Sequence, residues 1–207
     1  MVIALLNPKG GVGKSTIAAH VATAAHRSDV DTHIIDTDPQ ATIQDWHSLA
    51  DPGHTPGVSA CVSPKQLQTH LSSIDADLVV IDGAARVQRM VGAVLNVAQI
   101  VLIPVQPSTL DVWGTIDLID ACAKDDTLHA AFVLNRYTVG ANITSDAREA
   151  LADYGLPVLQ GCAQRVAYPE SMQNGETVLT YHDHKARAEA EALADDVADL
   201  ISNSTVP

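Results

Sequence analysis

Apolar residues in this chain gather in short, unbroken runs separated by longer stretches with helical spacing. Val2–Asn7, Thr32–Asp36, Val58–Val62, Leu78–Asp82, Ile100–Val105, Ala130–Asn135 and Pro157–Gly161 read as strands. Most of these runs are continuous rather than alternating, as expected of strands covered on both faces. Between them, Lys14–His26, Thr42–Leu49, Pro64–Ser72, Val87–Val97, Val112–Ala123, Ser145–Asp153 and His184–Ile201 read as helices. Strand and helix alternate almost to the end, which predicts an α/β fold with a mostly parallel sheet and helices on both faces. No repeat or low-complexity linker divides the chain. Residues 1–207 therefore read as a single domain, ending in a polar tail, Ser202–Pro207, expected to be disordered.

Composition adds a core and removes a membrane. Of 207 residues, 46% are hydrophobic, enough for a large globular core. No apolar run nears the roughly 18 residues of a membrane span, and the first strand starts directly behind Met1, leaving no room for a signal peptide. Cys61, Cys122 and Cys162 are scattered and form no CxxC pair, which suits small buried hydrophobes in a reduced cytoplasm. Charge narrows the partners: 12 basic residues face 25 acidic ones, for a net −13. Such a field opposes nucleic acid and anionic lipid unless basic residues cluster. Arg136, Arg148, Arg165, Lys185 and Arg187, all in the last third, are the candidates for a DNA-facing cluster, against a dispersed, solvated set.

The chemistry begins behind the first strand, where residues 9–16 read Lys-Gly-Gly-Val-Gly-Lys-Ser-Thr. Glycines at a strand-to-helix turn let successive N–H groups converge on an anion, and the helix adds its positive end. Lys14 can reach the outer phosphates, and Ser15 can offer its hydroxyl to magnesium. Asp82 ends an apolar strand in Val80-Ile81-Asp82-Gly83, the position that holds magnesium through water in P-loop proteins. Asp36 and Asp38 lie two apart on an extended segment, so both point the same way. One of them could cap the helix at Thr42; as a pair they suit a nucleotide site. Asp38 is then placed to orient a water and Asp36 to support the metal shell.

Four motifs in order, namely residues 9–16, Asp36-Thr37-Asp38-Pro39-Gln40, Val80–Gly83 and Ile103-Pro104-Val105-Gln106-Pro107-Ser108-Thr109-Leu110-Asp111, resemble the ParA/MinD family of deviant Walker A ATPases over nearly the whole chain. The compact size is similar to small plasmid-partition ParA proteins and to the McdA proteins that distribute carboxysomes. The resemblance implies a P-loop NTPase domain and a homodimer enclosing two ATP molecules with Mg2+. Gly10, Gly11, Val12, Gly13, Lys14, Ser15 and Thr16 would hold the phosphates, Ser15, Asp36 and Asp82 the metal, and Asp38 the attacking water. Lys9 would reach the partner's phosphates, and Asn135, following a strand where the family often places a base-contacting polar residue, is the candidate contact for the base. It further implies slow hydrolysis stimulated by a cargo adaptor, and a cytoplasmic protein that joins nucleoid DNA when ATP-bound. Glu189, Glu191, Asp195, Asp196 and Asp199 make the C-terminal helix the opposite of a basic membrane anchor. Two rivals share the scaffold. One is a redox enzyme of the nitrogenase iron-protein type, whose cluster cysteines Cys61, Cys122 and Cys162 match poorly; the other is a scaffold that binds nucleotide without turnover.

Smaller features read plainly. His182-Asp183-His184 lacks a third metal ligand, so Asp183 reads as a helix cap. Trp46 and Trp113 suit core or interface packing. Arg86 and Arg89 stand either as surface residues or as a nucleotide-sensitive switch.

Overall fold

The computed structural model describes residues 1–85, 87–108 and 112–204. Its strands are β1 (Val2–Leu5), β2 (Thr32–Asp36), β3 (Gly57–Ala60), β4 (Leu78–Asp82), β5 (Ile100–Val105), β6 (His129–Leu134) and β7 (Val158–Leu159). They form one sheet in the order β3-β2-β4-β1-β5-β6-β7, and every pairing is parallel. The expected α/β architecture is therefore present, with β7 trimmed to two residues.

The helices among the described residues are α1 (Lys14–Arg27), α2 (Thr42–Leu49), α3 (Leu67–Leu71), α4 (Gln88–Leu95), α5 (Ile116–Cys122), α6 (Asn142–Ala152), α7 (Ala167–Gln173) and α8 (His184–Ser204). Successive strand residues alternate between two cores. Ile3 and Leu5 pack with Ile17, Ile43, Tyr168 and Leu193 from α1, α2, α7 and α8. Val2, Ala4 and Leu6 pack with Leu67, Met90, Leu118 and Leu151 from α3 to α6. Continuous apolar runs were the right signal, because both sides of every central strand meet a helix.

The departures have local causes. Helix α7 was not expected: its sequence, Ala-Tyr-Pro-Glu-Ser-Met-Gln, has little apolar period, yet Pro169 sits in the first turn, where its missing N–H costs nothing. Helix α6 starts three residues before Ser145, whose hydroxyl donates to the Asn142 carbonyl instead of capping. Helix α8 runs on through Ser204, so Ser202–Ser204 of the expected tail are helical; residues 205–207 lie outside the described set. Asp183 caps α8 as read, accepting from the N–H groups of Lys185 and Ala186 at 2.9 and 3.0 Å.

Register fixes where the site lies. Asp82 pairs with Leu5 on one side and with Asp36 on the other. Three strands thus end at one level, and the acidic residues at their tips face the turn that follows β1.

Candidate functional site

The turn after β1 is held from several sides. Gly13 takes φ 99° and passes close under the Asn135 amide, where any Cβ would collide. That conformation opens α1 and is closed to other residue types. Three carboxamides pin the loop. Asn7 accepts from the Lys9 N–H at 2.8 Å and donates to the Pro104 carbonyl at 2.7 Å. Gln106 donates to the Gly11 carbonyl at 3.1 Å, and Asn135 to the Val12 carbonyl at 2.7 Å. Asn135 is thus both a loop support and a lining residue of the second cleft described below. Asn7 and Gln106 carried no role in the sequence reading. Their signal was available: each stands just past the end of a central strand.

Lys14 is buried, and its ammonium donates to the Asn7 and Lys9 carbonyls at 3.1 and 3.0 Å. Burial lowers its pKa, against the opposing pull of Asp82 and Asp38. Lys9 stands exposed at the front of the loop. Asp82 is 1% exposed, and neither of its carboxylate oxygens has a hydrogen-bond partner among the described residues. Burial raises its pKa to about 7, with Ser15 and Lys14 pulling down and Asp36 and Asp38 pushing up. A buried carboxylate with no well-formed hydrogen bond, close to the Ser15 hydroxyl, a lysine and two further carboxylates, is a fit for a hard divalent cation such as magnesium.

Asp36 has a second occupation. Its Oδ1 accepts from the Asp38 N–H at 3.0 Å, and its Oδ2 from the N–H groups of Ile43 and Gln44 at 3.2 and 3.4 Å. Helix α2 begins after Ala41, at φ 57°, which cannot cap it. Asp36 therefore caps α2 from the strand end, which is the capping alternative read for the pair. Asp38 lies further out, half-buried, with Oδ1 bonded to the Gln40 N–H at 2.9 Å. Between them, Thr37 was overlooked. Its hydroxyl donates to the Asp82 carbonyl at 2.7 Å and accepts from the Ala84 N–H at 3.1 Å, tying the β2 and β4 loops together.

A second cleft opens beside α1, lined by Thr16, Asn135, Arg136, Ala163, Gln164, Arg165, Tyr168 and Pro169. Arg136 holds a left-handed backbone at φ 53°. The loops after β6 and β7 are joined by a bridge from Tyr137 to Ala163 and by the Gln164 N–H donating to the Tyr137 carbonyl at 2.8 Å. Gly161 passes so close to the Leu134 carbonyl that a Cβ has no room.

The proposed basic cluster is smaller than expected. Arg165 makes a double contact to Glu189, with Nε–Oε1 at 3.0 Å and Nη2–Oε1 at 2.6 Å. Arg187 is half-buried and donates to the Tyr181 carbonyl at 2.7 Å. Both guanidinium groups are spent inside the fold, which leaves Arg136, Arg148 and Lys185. Trp46 is core, its indole donating to the Glu176 carbonyl at 3.0 Å. Trp113 is instead 61% exposed and borders a groove with Ile143 and Tyr154. Cys61, Cys122 and Cys162 are buried and unpaired, with the last two thiols pushed up to about 11 by burial. That is a poor setting for thiolate ligands of a shared cluster. Arg89 is exposed on α4, while Arg86 and Thr109–Asp111 lie outside the described residues.

A parallel sheet, a glycine loop feeding α1 and acidic strand tips define a P-loop nucleotide-binding protein. The chain belongs to the CobQ/CobB/MinD/ParA nucleotide-binding domain family, whose model matches residues 3–178. It is 27% identical to the maintenance of carboxysome distribution protein A of Halothiobacillus neapolitanus, over 99% of this chain and 96% of that protein. Its fold is similar to the cell division ATPase MinD of Pyrococcus furiosus, with TM-score 0.81 at 20% identity over 97% of this chain and 99% of that one. It is also similar to an ATP complex of Cyanothece McdA, with TM-score 0.73 at 16% identity over 97% and 96% of the two chains. No described helix is long and apolar enough to cross a membrane.

Proposed function

We propose that this protein is an ATP-hydrolysing dimerisation switch that positions or segregates an intracellular cargo. The observation that carries the reading is the unpartnered, buried Asp82 carboxylate at the mouth of a lysine-bearing phosphate loop. Gly10 to Thr16 would wrap the phosphates, with Lys14 turning from two backbone carbonyls to the outer phosphate oxygens. Ser15 and Asp82 would hold Mg2+, with Asp36 behind them. When bound, the metal neutralises charge on the phosphate oxygens. Asp38, on the more exposed part of the loop, would orient the attacking water. Lys9 would complete the site of a second copy by stabilising charge there.

The second cleft would take the base. The N–H groups of Asn135, Ala163 and Gln164 are already engaged. Similarity to carboxysome-distribution and partition proteins supports a role in placing a protein body or DNA. The MinC:MinD complex of Aquifex aeolicus, similar in fold, is compatible with a partner protein, and an adaptor would here accelerate a slow hydrolysis. Nucleoid attachment would rest on Arg136, Arg148 and Lys185, doubled by the dimer. Affinity would then fall with salt by about 0.9 log units per log unit for each phosphate contact.

Light scattering and phosphate release with magnesium and ATP, with and without DNA, test the reading. The wild-type protein is expected to dimerise with ATP and release phosphate slowly, and Lys9→Ala to stay monomeric. An unchanged ATP-bound dimer in Lys9→Ala removes the cross-subunit role. Dimerisation without phosphate release under any condition leaves a nucleotide-dependent scaffold.

A further inference from the structure

The loop that forms one wall of the base cleft is hung on a single face of α8. The Gln160 N–H donates to Asp196 at 2.5 Å, and the Ala163 N–H to Glu189 at 3.2 Å. Tyr168 donates to the Ala186 carbonyl and to Glu189, each at 3.3 Å. Arg165 closes on the same Glu189 through its paired contact. Residues 186, 189 and 196 fall on one helical face, and Ala186, Ala190, Leu193 and Val197 bury that side in the core. The helix is therefore a rigid beam, and Glu189 is the point where three cleft-lining residues meet it.

We infer that Glu189 is a positioning residue for nucleotide recognition, holding Ala163, Arg165 and Tyr168 so that the cleft keeps the shape of a base. The inference rests on the assignment of that cleft to the base. Glu189 is distant in sequence from every phosphate-loop residue and bonds to none of them among the described contacts. Its carboxylate satisfies a backbone N–H, a guanidinium and a phenol at once, with side-chain exposures of 15% for Glu189 and 23% for Arg165. Charge-assisted, largely shielded contacts of this kind are costly to leave half-made. Without Glu189, Arg165 loses its partner and Ala163 its acceptor, and the wall is released while the phosphate loop keeps its own pins. The carboxylate thus sets base selection, and the loop after β1 sets phosphate affinity.

The full-length protein tests this with Glu189→Ala and Glu189→Gln. ATP, GTP and base-free tripolyphosphate compete against a fluorescent ATP analogue. The wild type is expected to favour ATP over GTP and over tripolyphosphate. In Glu189→Ala, ATP affinity should fall about tenfold, the ATP-to-GTP ratio should shrink, and tripolyphosphate should compete unchanged. The KM for ATP should rise at constant kcat. Glu189→Gln, which keeps an acceptor for Ala163 but loses the ion pair, should lie between. A wild-type ATP-to-GTP ratio in Glu189→Ala overturns the inference. So does a parallel loss for tripolyphosphate in both variants, which marks Glu189 as a general structural residue. A wild-type protein that binds tripolyphosphate as well as ATP overturns the base assignment itself.

Discussion

The two halves of the proposed nucleotide site are built in opposite ways. The phosphate half is nearly contiguous: residues 9–16 make the cradle, and its acidic partners are the tips of two adjacent strands in register. The base half is assembled from Thr16, the loop after β6, the loop after β7 and, behind them, α8. A contiguous cradle works through backbone N–H groups and glycine conformations, which demand particular residues at fixed spacing. An assembled wall works through whichever side chains meet, so many sequences serve. One half is held by its own chain, the other by its neighbours.

The largest effect should come from the phosphate half. Lys14→Ala is expected to lower ATP turnover by about a thousandfold in a phosphate-release assay. Near-normal turnover would show that the cradle does not depend on its buried lysine. Next is a residue that links the halves. His20 is fully buried; its Nδ1 lies 2.6 Å from the Thr16 carbonyl and its Nε2 accepts from the Val178 N–H at 3.1 Å. Burial lowers its pKa to about 4. The unfolded chain takes up the proton first, so stability falls as pH drops through 6.5 and keeps falling to about 4. The loss is of order 3 kcal/mol. Urea midpoints across that range should show it, and His20→Gln should flatten it.

Asp38→Ala is expected to lower turnover by about a hundredfold while ATP binding persists. Equal losses of binding and turnover, by calorimetry and phosphate release, would make Asp38 a ligand of the ground state. Asn135→Ala should be the mildest, about tenfold in ATP affinity. Because Asn135 supports the phosphate loop and lines the base cleft, tripolyphosphate binding should fall with it. That distinguishes it from Glu189, whose loss should leave tripolyphosphate untouched.

The same contrast explains what was legible. The helix α1 loop, Asp36, Asp38 and Asp82 could be read because each follows a run of buried β-formers, where a parallel sheet delivers its ligands. Asp36 shows the limit of such reading. Its place at a strand tip was legible, yet its capping of α2 goes with Ala41 taking a left-handed backbone. Arg165 and Arg187 read as surface charge from composition, and the fold turned both inward onto Glu189 and the Tyr181 carbonyl. Trp113 read as core or interface packing, and its 61% exposure takes it out of the core of the single chain. Helix α7 escaped because its stability comes from Tyr168 and Ala167 packing into the core rather than from its own composition.

By itself, the sequence determined a parallel sheet, a glycine loop behind its first strand and a carboxylate at the tip of another. These depend on local periodicity, glycine conformations and short spacings, which are properties of consecutive residues. Only the tertiary structure decided which cations remain free, which carboxylates cap and which stay unpaired, and what holds the base cleft open. Those outcomes turn on contacts between residues such as Ala163 and Glu189, far apart in the chain. Burial and hydrogen-bond satisfaction are settled there by packing, after the local pattern has been spent.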